Sequence, residues 1–153
     1  MPGPNTPAVK AGWATPMFWV ADIDRSIRFY ELLGFEVIDT DRCEPLGWAR
    51  IHCEGGAVMF LRAEEPVDPE ALAAMLVMYT ADLPALRDQL AAAGLDPAPI
   101  GHPPYMPSGE LCLRDPDGYG VFVNHWGEAE HAAWLERIGR GAAADGGGSA
   151  ADS

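Results

Sequence analysis

This sequence predicts an α+β fold made of two copies of one strand, helix and three-strand module (βαβββ), and three observations predict it. Ala21-Asp22-Ile23 returns sixty residues later as Ala81-Asp82-Leu83, and Gly34-Phe35 returns as Gly94-Leu95. Between the paired landmarks both copies carry an apolar stripe of helical period. Each stripe is preceded by a run rich in branched and aromatic side chains, the composition of a strand. A repeat makes each copy one supersecondary unit that must bury its own face. Two such copies usually enclose a cleft.

The first module opens with a strand over residues 12–20. Asp22 is placed to cap the next helix with its carboxylate. Ile23, Ile27, Tyr30 and Leu33 then fall on one helical face, and Gly34 supplies the stop. A short strand over 35–40 follows, then strands over 47–53 and 57–62 around the hairpin Glu54-Gly55-Gly56. Residues 64–70, with Pro66 and Pro69 among acids, read as a linker.

The second module repeats the plan. A strand over 74–80 leads to a helix capped by Asp82, with Pro84 in the first turn, where a missing N–H costs nothing. Leu83, Leu86 and Leu90 form its stripe and Gly94 ends it. Strands follow near 95–100, 110–114 and 119–124. Asp115-Pro116-Asp117-Gly118 joins the last two, with proline second and glycine fourth in the turn. A calcium loop needs several more ligands at fixed spacing, so the turn reads as structural. A final amphipathic helix spans 128–137, with Trp134 and Ile138 near one face, docking either on its own sheet or on a second subunit. The domain therefore runs over 12–138, with modules at 12–63 and 71–126. The tails 1–11 and 139–153 carry few side chains able to offset ordering entropy and are expected to be disordered.

At 153 residues the chain is long enough for one domain with a real core. Its formal charge of −13 argues against a nucleic-acid partner, whose phosphates need a basic face. It suits a cationic ligand drawn by a negative field, or simply solubility. Cys43, Cys53 and Cys112 show no Cys-x-x-Cys spacing, which fits reduced thiols in a cytoplasm. The N-terminus lacks a signal-peptide apolar region, and no apolar run is long enough to span a bilayer, so no membrane role is expected.

Two segments resemble a known family. Val20 through Phe35, reading VADIDRSIRFYELLGF, is similar to the first helix of the glyoxalase, bleomycin-resistance and extradiol-dioxygenase superfamily (the vicinal oxygen chelate fold). Arg114-Asp115-Pro116-Asp117-Gly118-Tyr119 resembles the turn before that family's last strand. The likeness spans residues 13–126. It implies two βαβββ modules whose curved mixed sheets face a shared cleft, often completed by dimerisation. It also implies, in the metal-dependent members, four His, Gln or Glu ligands from four cleft-facing strands. The matching positions here hold Thr15, Phe60, Met75 and Phe122. Two phenylalanines donate nothing, a thioether is soft and a threonine hydroxyl is a weak neutral oxygen, so no metal or other cofactor is expected.

What is left resembles the metal-free, drug-sequestering branch of the family, which acts by occupancy. The expected function is binding of an aromatic and cationic small molecule, such as an antibiotic, by a cytoplasmic homodimer. The family positions Phe60 and Phe122, with Trp19 and Asn124 brought to the same faces by strand alternation from Thr15 and Phe122, are candidates for the lining, although the opposite sheet face packs on helices and each ring also suits plain core. Trp48 and Tyr105 stand near Gly- and Pro-rich connections, where ligand-contacting rings commonly sit. His52, His102, His125 and His131 form no short metal-binding pair. Two alternatives stay open: an enzyme with a relocated metal site drawing on His52, His102, Glu110 or His125, and a metabolite-sensing or interaction module.

Overall fold

The computed structural model describes residues 14–145, so the proposed tail over 1–11 and the end of the other, 146–153, lie outside the described residues. The chain divides into two compact units, Met1–Asp68 and Pro69–Ser153. The first holds β1 (Met17–Val20), α1 (Ile23–Glu31), β2 (Glu36–Thr40), β3 (Trp48–Cys53) and β4 (Gly56–Arg62). Its sheet order is β1-β4-β3-β2, with β1 parallel to β4 and the other pairs antiparallel. This is the βαβββ module expected from the sequence.

The helix ends explain why the repeat carries the residues it does. Asp22, extended at φ −142°, accepts the N–H of Arg25 at 3.0 Å. Asp82 does the same for Ala85 at 3.0 Å. At the other end Gly34 (φ +91°) and Gly94 (φ +93°) take the left-handed conformation that glycine adopts without strain. The N–H of Phe35 then reaches Tyr30 O, and the N–H of Leu95 reaches Leu90 O, each at 3.1 Å. Both are Schellman endings. Replacing Asp22 by alanine is expected to cost about 1 kcal/mol, read as a lower midpoint in urea at unchanged slope.

Strand alternation sorts the first sheet into two faces. Phe18, Val20, Ala49, Ile51, Val58 and Phe60 are buried, as are Ile23, Ile27 and Tyr30 of α1. The Tyr30 ring lies 5.3 Å from that of Phe60 and 5.6 Å from that of Phe35. Removing such apolar surface from water supplies most of the driving force for this unit.

The second unit holds β5 (Met75–Thr80), α2 (Leu83–Ala92), β6 (Glu110–Arg114), β7 (Gly120–His125) and α3 (Glu128–Asp145), with a short 3-10 turn at Pro69–Ala71. Its sheet has three strands in the order β5-β7-β6, β5 running parallel to β7. The strand expected over 95–100 does not form; only an isolated bridge from Gly101 to Glu110 marks its end. Pro97 and Pro99 bring no amide donors to a ladder. Arg87 of α2 takes two of the carbonyls instead, Nε to Ala98 O at 2.9 Å and Nη2 to Pro97 O at 3.1 Å.

The 115–118 turn is structural, as the sequence suggested. Asp115 Oδ1 accepts the N–H groups of Asp117 and Tyr119, both at 2.9 Å, and Gly118 N–H closes on Asp115 O at 3.0 Å. Gly118 sits at φ +97°, and a Cβ there would collide with the Cβ of Pro69. Gly118→Ala is therefore expected to lose about 1–3 kcal/mol of stability, measured by chemical denaturation. At the C-terminus the helix runs to Asp145, past the end expected at 137 and into the segment expected to be disordered. Alanines at 142–144 favour helix, and Arg140 pairs with Glu136 one turn back at 3.2 Å.

Candidate functional site

Each sheet has one face turned away from its helix, and register assigns the side chains there. In the first unit Trp19, Leu61 and Trp48 form one cross-strand row, and Met17, Met59 and Arg50 form the next. Ala57, His52 and Glu36 make the third. Met17 and Trp19 are about half exposed, at 48% and 55%. Arg50 Nη2 reaches Thr15 Oγ1 at 3.5 Å, and its Nε is buried with no hydrogen-bond partner. His52 Nε2 lies 3.7 Å from Glu36 Oε2.

In the second unit the rows are Met75, Gly120 and Arg114, then Val77, Phe122 and Cys112, then Tyr79, Asn124 and Glu110. Gly120 is small because the Phe122 ring folds across it; a Cβ would stand 2.9 Å from Phe122 Cε2. Tyr79 meets Trp126 edge-on at 5.6 Å, Trp126 meets Trp134 at 6.5 Å, and His131 lies 5.6 Å from Trp134. Beside this chain of rings sits a polar group. Glu110 and Asn124 are both buried. Tyr105 donates its hydroxyl to Glu110 Oε1 at 2.8 Å, and Cys112 Sγ donates to the same oxygen at 3.6 Å. Asn124 Oδ1 is a buried acceptor without a partner. An orphaned acceptor of that kind costs about 1–3 kcal/mol, which a bound N–H donor would recover.

Titration follows the same layout. The hydrogen bond to Glu110 pushes the Tyr105 hydroxyl above its ordinary range, helped by desolvation and the carboxylate charge. Burial pushes the Cys112 thiol up, and the Glu110 charge adds to it. A raised thiol pKa leaves less thiolate at a given pH. Glu110→Gln is therefore expected to speed alkylation of Cys112 by iodoacetamide at pH 8, followed peptide by peptide in a mass spectrometer.

The structure distributes the sequence-derived site residues as follows. Trp19 and Trp48 flank Leu61 on the open face of the first sheet. Phe122 and Asn124 share the open face of the second, and Tyr105, 71% exposed, reaches Glu110 beside them. Phe60 departs from expectation. It is wholly buried on the helix side against Tyr30, because β4 alternation turns Met59 and Leu61 to the open face instead. Tyr79, Trp126 and Trp134 were missed. Period-two alternation along β5 exposes Tyr79 to sequence reasoning, but the Trp126–Trp134 contact joins a strand end to a helix and has no periodic signal.

The donors do not fit the metal centre that the family resemblance implies. Met75, Phe122 and Thr15 offer a thioether, a hydrocarbon ring and a hydroxyl already beside the Arg50 guanidinium, and Phe60 is buried on the helix side. Nor do the candidates for a relocated site gather. His52 faces Glu36, His102 Nδ1 lies 3.0 Å from Pro107 O, and His125 lies 3.4 Å from Glu130 Oε1. Among the described residues no three His, Cys, Asp or Glu side chains are grouped to hold an ion.

Comparison with known proteins places this geometry in context. Residues 12–123 match the sequence family described as the Glyoxalase/Bleomycin resistance protein/Dioxygenase superfamily. No curated protein sequence matches the chain. Among solved structures, a bleomycin-binding protein from bleomycin-producing Streptomyces verticillus, in complex with copper(II)-bleomycin, is 26% identical with a TM-score of 0.57, covering 78% of this chain and 99% of that one. A glyoxylase/bleomycin resistance protein/dioxygenase domain from Frankia sp. EAN1pec is similar at 22% identity and TM-score 0.63, covering 80% and 97%. A genomically encoded fosfomycin resistance protein from Listeria monocytogenes shares the fold alone, at 10% identity and TM-score 0.62 over 80% and 98%.

Proposed function

Because the chain belongs to the glyoxalase, bleomycin resistance protein and dioxygenase superfamily, we propose that it is a metal-independent binding protein that sequesters an aromatic small molecule. The observation that carries this reading is the open face of the second sheet. Met75, Val77 and Tyr79 lie there 62%, 44% and 59% exposed, where a solvated sheet face is ordinarily polar. A contiguous apolar patch of this kind marks a binding surface. Of the side chains standing at the family's ligand positions, Met75 and Phe122 lie in this sheet, where they can pack on a guest but cannot grip an ion.

Affinity follows from modest contributions. Each aromatic contact adds about 0.5–1.5 kcal/mol beyond buried area, and micromolar binding needs about −8 kcal/mol in all. Glu110 and the orphaned Asn124 Oδ1 are acceptors, so a guest carrying N–H donors, cationic ones above all, suits the second sheet. The net charge of −13 favours the same class. Similarity to a bleomycin-binding protein supports an antibiotic as the guest. Trp134, Leu135 and Ile138, exposed along α3, support a homodimer built on that helix. No helix among the described residues is long and apolar enough to cross a membrane, and a cytoplasmic setting suits three free thiols.

The test is titration of bleomycin and of proflavine, a cationic tricyclic, against intrinsic tryptophan fluorescence. Saturable quenching in the micromolar range is expected for at least one; a flat response to both overturns the reading. Elemental analysis of protein purified without chelators is expected to give well under one divalent metal per chain. A stoichiometric metal would favour the enzymatic alternative.

A further inference from the structure

The first sheet carries a positive charge on its open face that the unit leaves unanswered. Arg50 springs from β3 and ends at Thr15, just before β1. In the order β1-β4-β3-β2 those strands are two spacings apart, about 10 Å. The side chain must therefore lie flat across β4, over Met59 and the small Ala57, to reach a hydroxyl at 3.5 Å. That bond sits at the long limit for N–H to oxygen. Nε is buried and unpartnered. Asp39 is the register partner of Arg50 across β2, yet among the described residues no carboxylate pairs with the guanidinium. A guanidinium carries five N–H donors in a planar fork.

We propose that Arg50 binds the oxyanion, carboxylate or phosphate, of an aromatic small molecule seated on the first sheet. The fork of a guanidinium matches the two oxygens of such a group. The neighbouring row supplies the aromatic platform, since Trp19 and Trp48 stand on either side of Leu61. Rows on one face are two residues apart, about 6.6 Å along the strands. A ring on the Trp19–Trp48 row therefore places an acid one ring further on beyond the Arg50 row, toward the guanidinium that ends beside Thr15, which is the arrangement biphenyl-4-carboxylate offers. The overall negative charge opposes an anion little from a distance, because physiological salt screens charges more than about 8 Å apart. Only first-sheet residues enter this site, so its test does not depend on the second-sheet reading.

Isothermal titration in 0.15 M salt with biphenyl-4-carboxylate, biphenyl-4-yl phosphate and biphenyl-4-methanol tests the proposal. At least one anion is expected to bind the wild-type protein ten times or more tighter than the alcohol, and which one identifies the oxyanion. Arg50→Met is expected to reduce the anions to the affinity of the alcohol while the alcohol is unchanged. Arg50→Lys keeps the charge but loses the fork and falls between. Equal affinity of all three probes for the wild type, an anion preference that survives in Arg50→Met, or no binding of any probe overturns it. Should Arg50→Met fail to fold, the wild-type ranking and Arg50→Lys decide alone.

Discussion

Phe60→Ala is expected to destabilise the protein by about 3–5 kcal/mol while leaving the affinity for an aromatic probe within twofold. The side chain is 0% exposed and its ring lies 5.3 Å from that of Tyr30. Truncation removes a ring from a closed packing of Tyr30, Phe35 and Phe60, and the surrounding strands cannot collapse onto the space. The cost is therefore the lost transfer energy plus that of the cavity. Guanidinium denaturation of wild type and variant, read by circular dichroism, measures it. Probe titration at a temperature where the variant is folded measures the other half. A variant with wild-type stability and lost binding would return Phe60 to the site and reverse the face assignment of β4.

Tyr79→Ala is expected to behave in the opposite way. Its ring is 59% exposed, so truncation leaves little cavity, and a stability change within about 1 kcal/mol is expected. Binding should suffer far more. Tyr79 touches Trp126 at 5.6 Å and shares a row with Asn124 and Glu110, so it joins the apolar and polar halves of the second face. Aromatic residues at such a junction are frequent hot spots, and loss of about 1.4–2.8 kcal/mol, tenfold to a hundredfold in affinity, is expected for proflavine. Tyr79→Phe should recover most of it, because stacking needs the ring and not the hydroxyl. Wild-type affinity in Tyr79→Ala would place the aromatic guest elsewhere. Measured together, the two variants separate core from surface on the same fold.

The parts of the structure that were legible in the sequence share one property: their cause is local. Asp22 and Asp82 cap helices three residues ahead, and Gly34 and Gly94 end them by a backbone conformation that needs no distant partner. The Asp115 turn closes on itself within four residues. Alternation counted along single strands sets Trp19 on the open face from Thr15 and Asn124 from Phe122. Errors arose where a neighbour out of local reach decided the outcome. Residues 95–100 have the composition of a short strand, but Arg87 of α2 holds two of their carbonyls. Phe60 stands at a family position expected to face the cleft, but alternation along β4 turns it to the helix side, since one residue along a strand reverses the face.

By itself the sequence determined the first module, the limits of the first two helices and the superfamily, because these depend on residue identity and short spacing. The tertiary structure alone decided that Tyr79, Trp126 and Trp134 form one chain of rings, that Tyr105 caps Glu110, and that Arg50 crosses a strand to end at Thr15. Those contacts join residues on different strands, loops and helices, and chain order carries no record of which elements pack side by side.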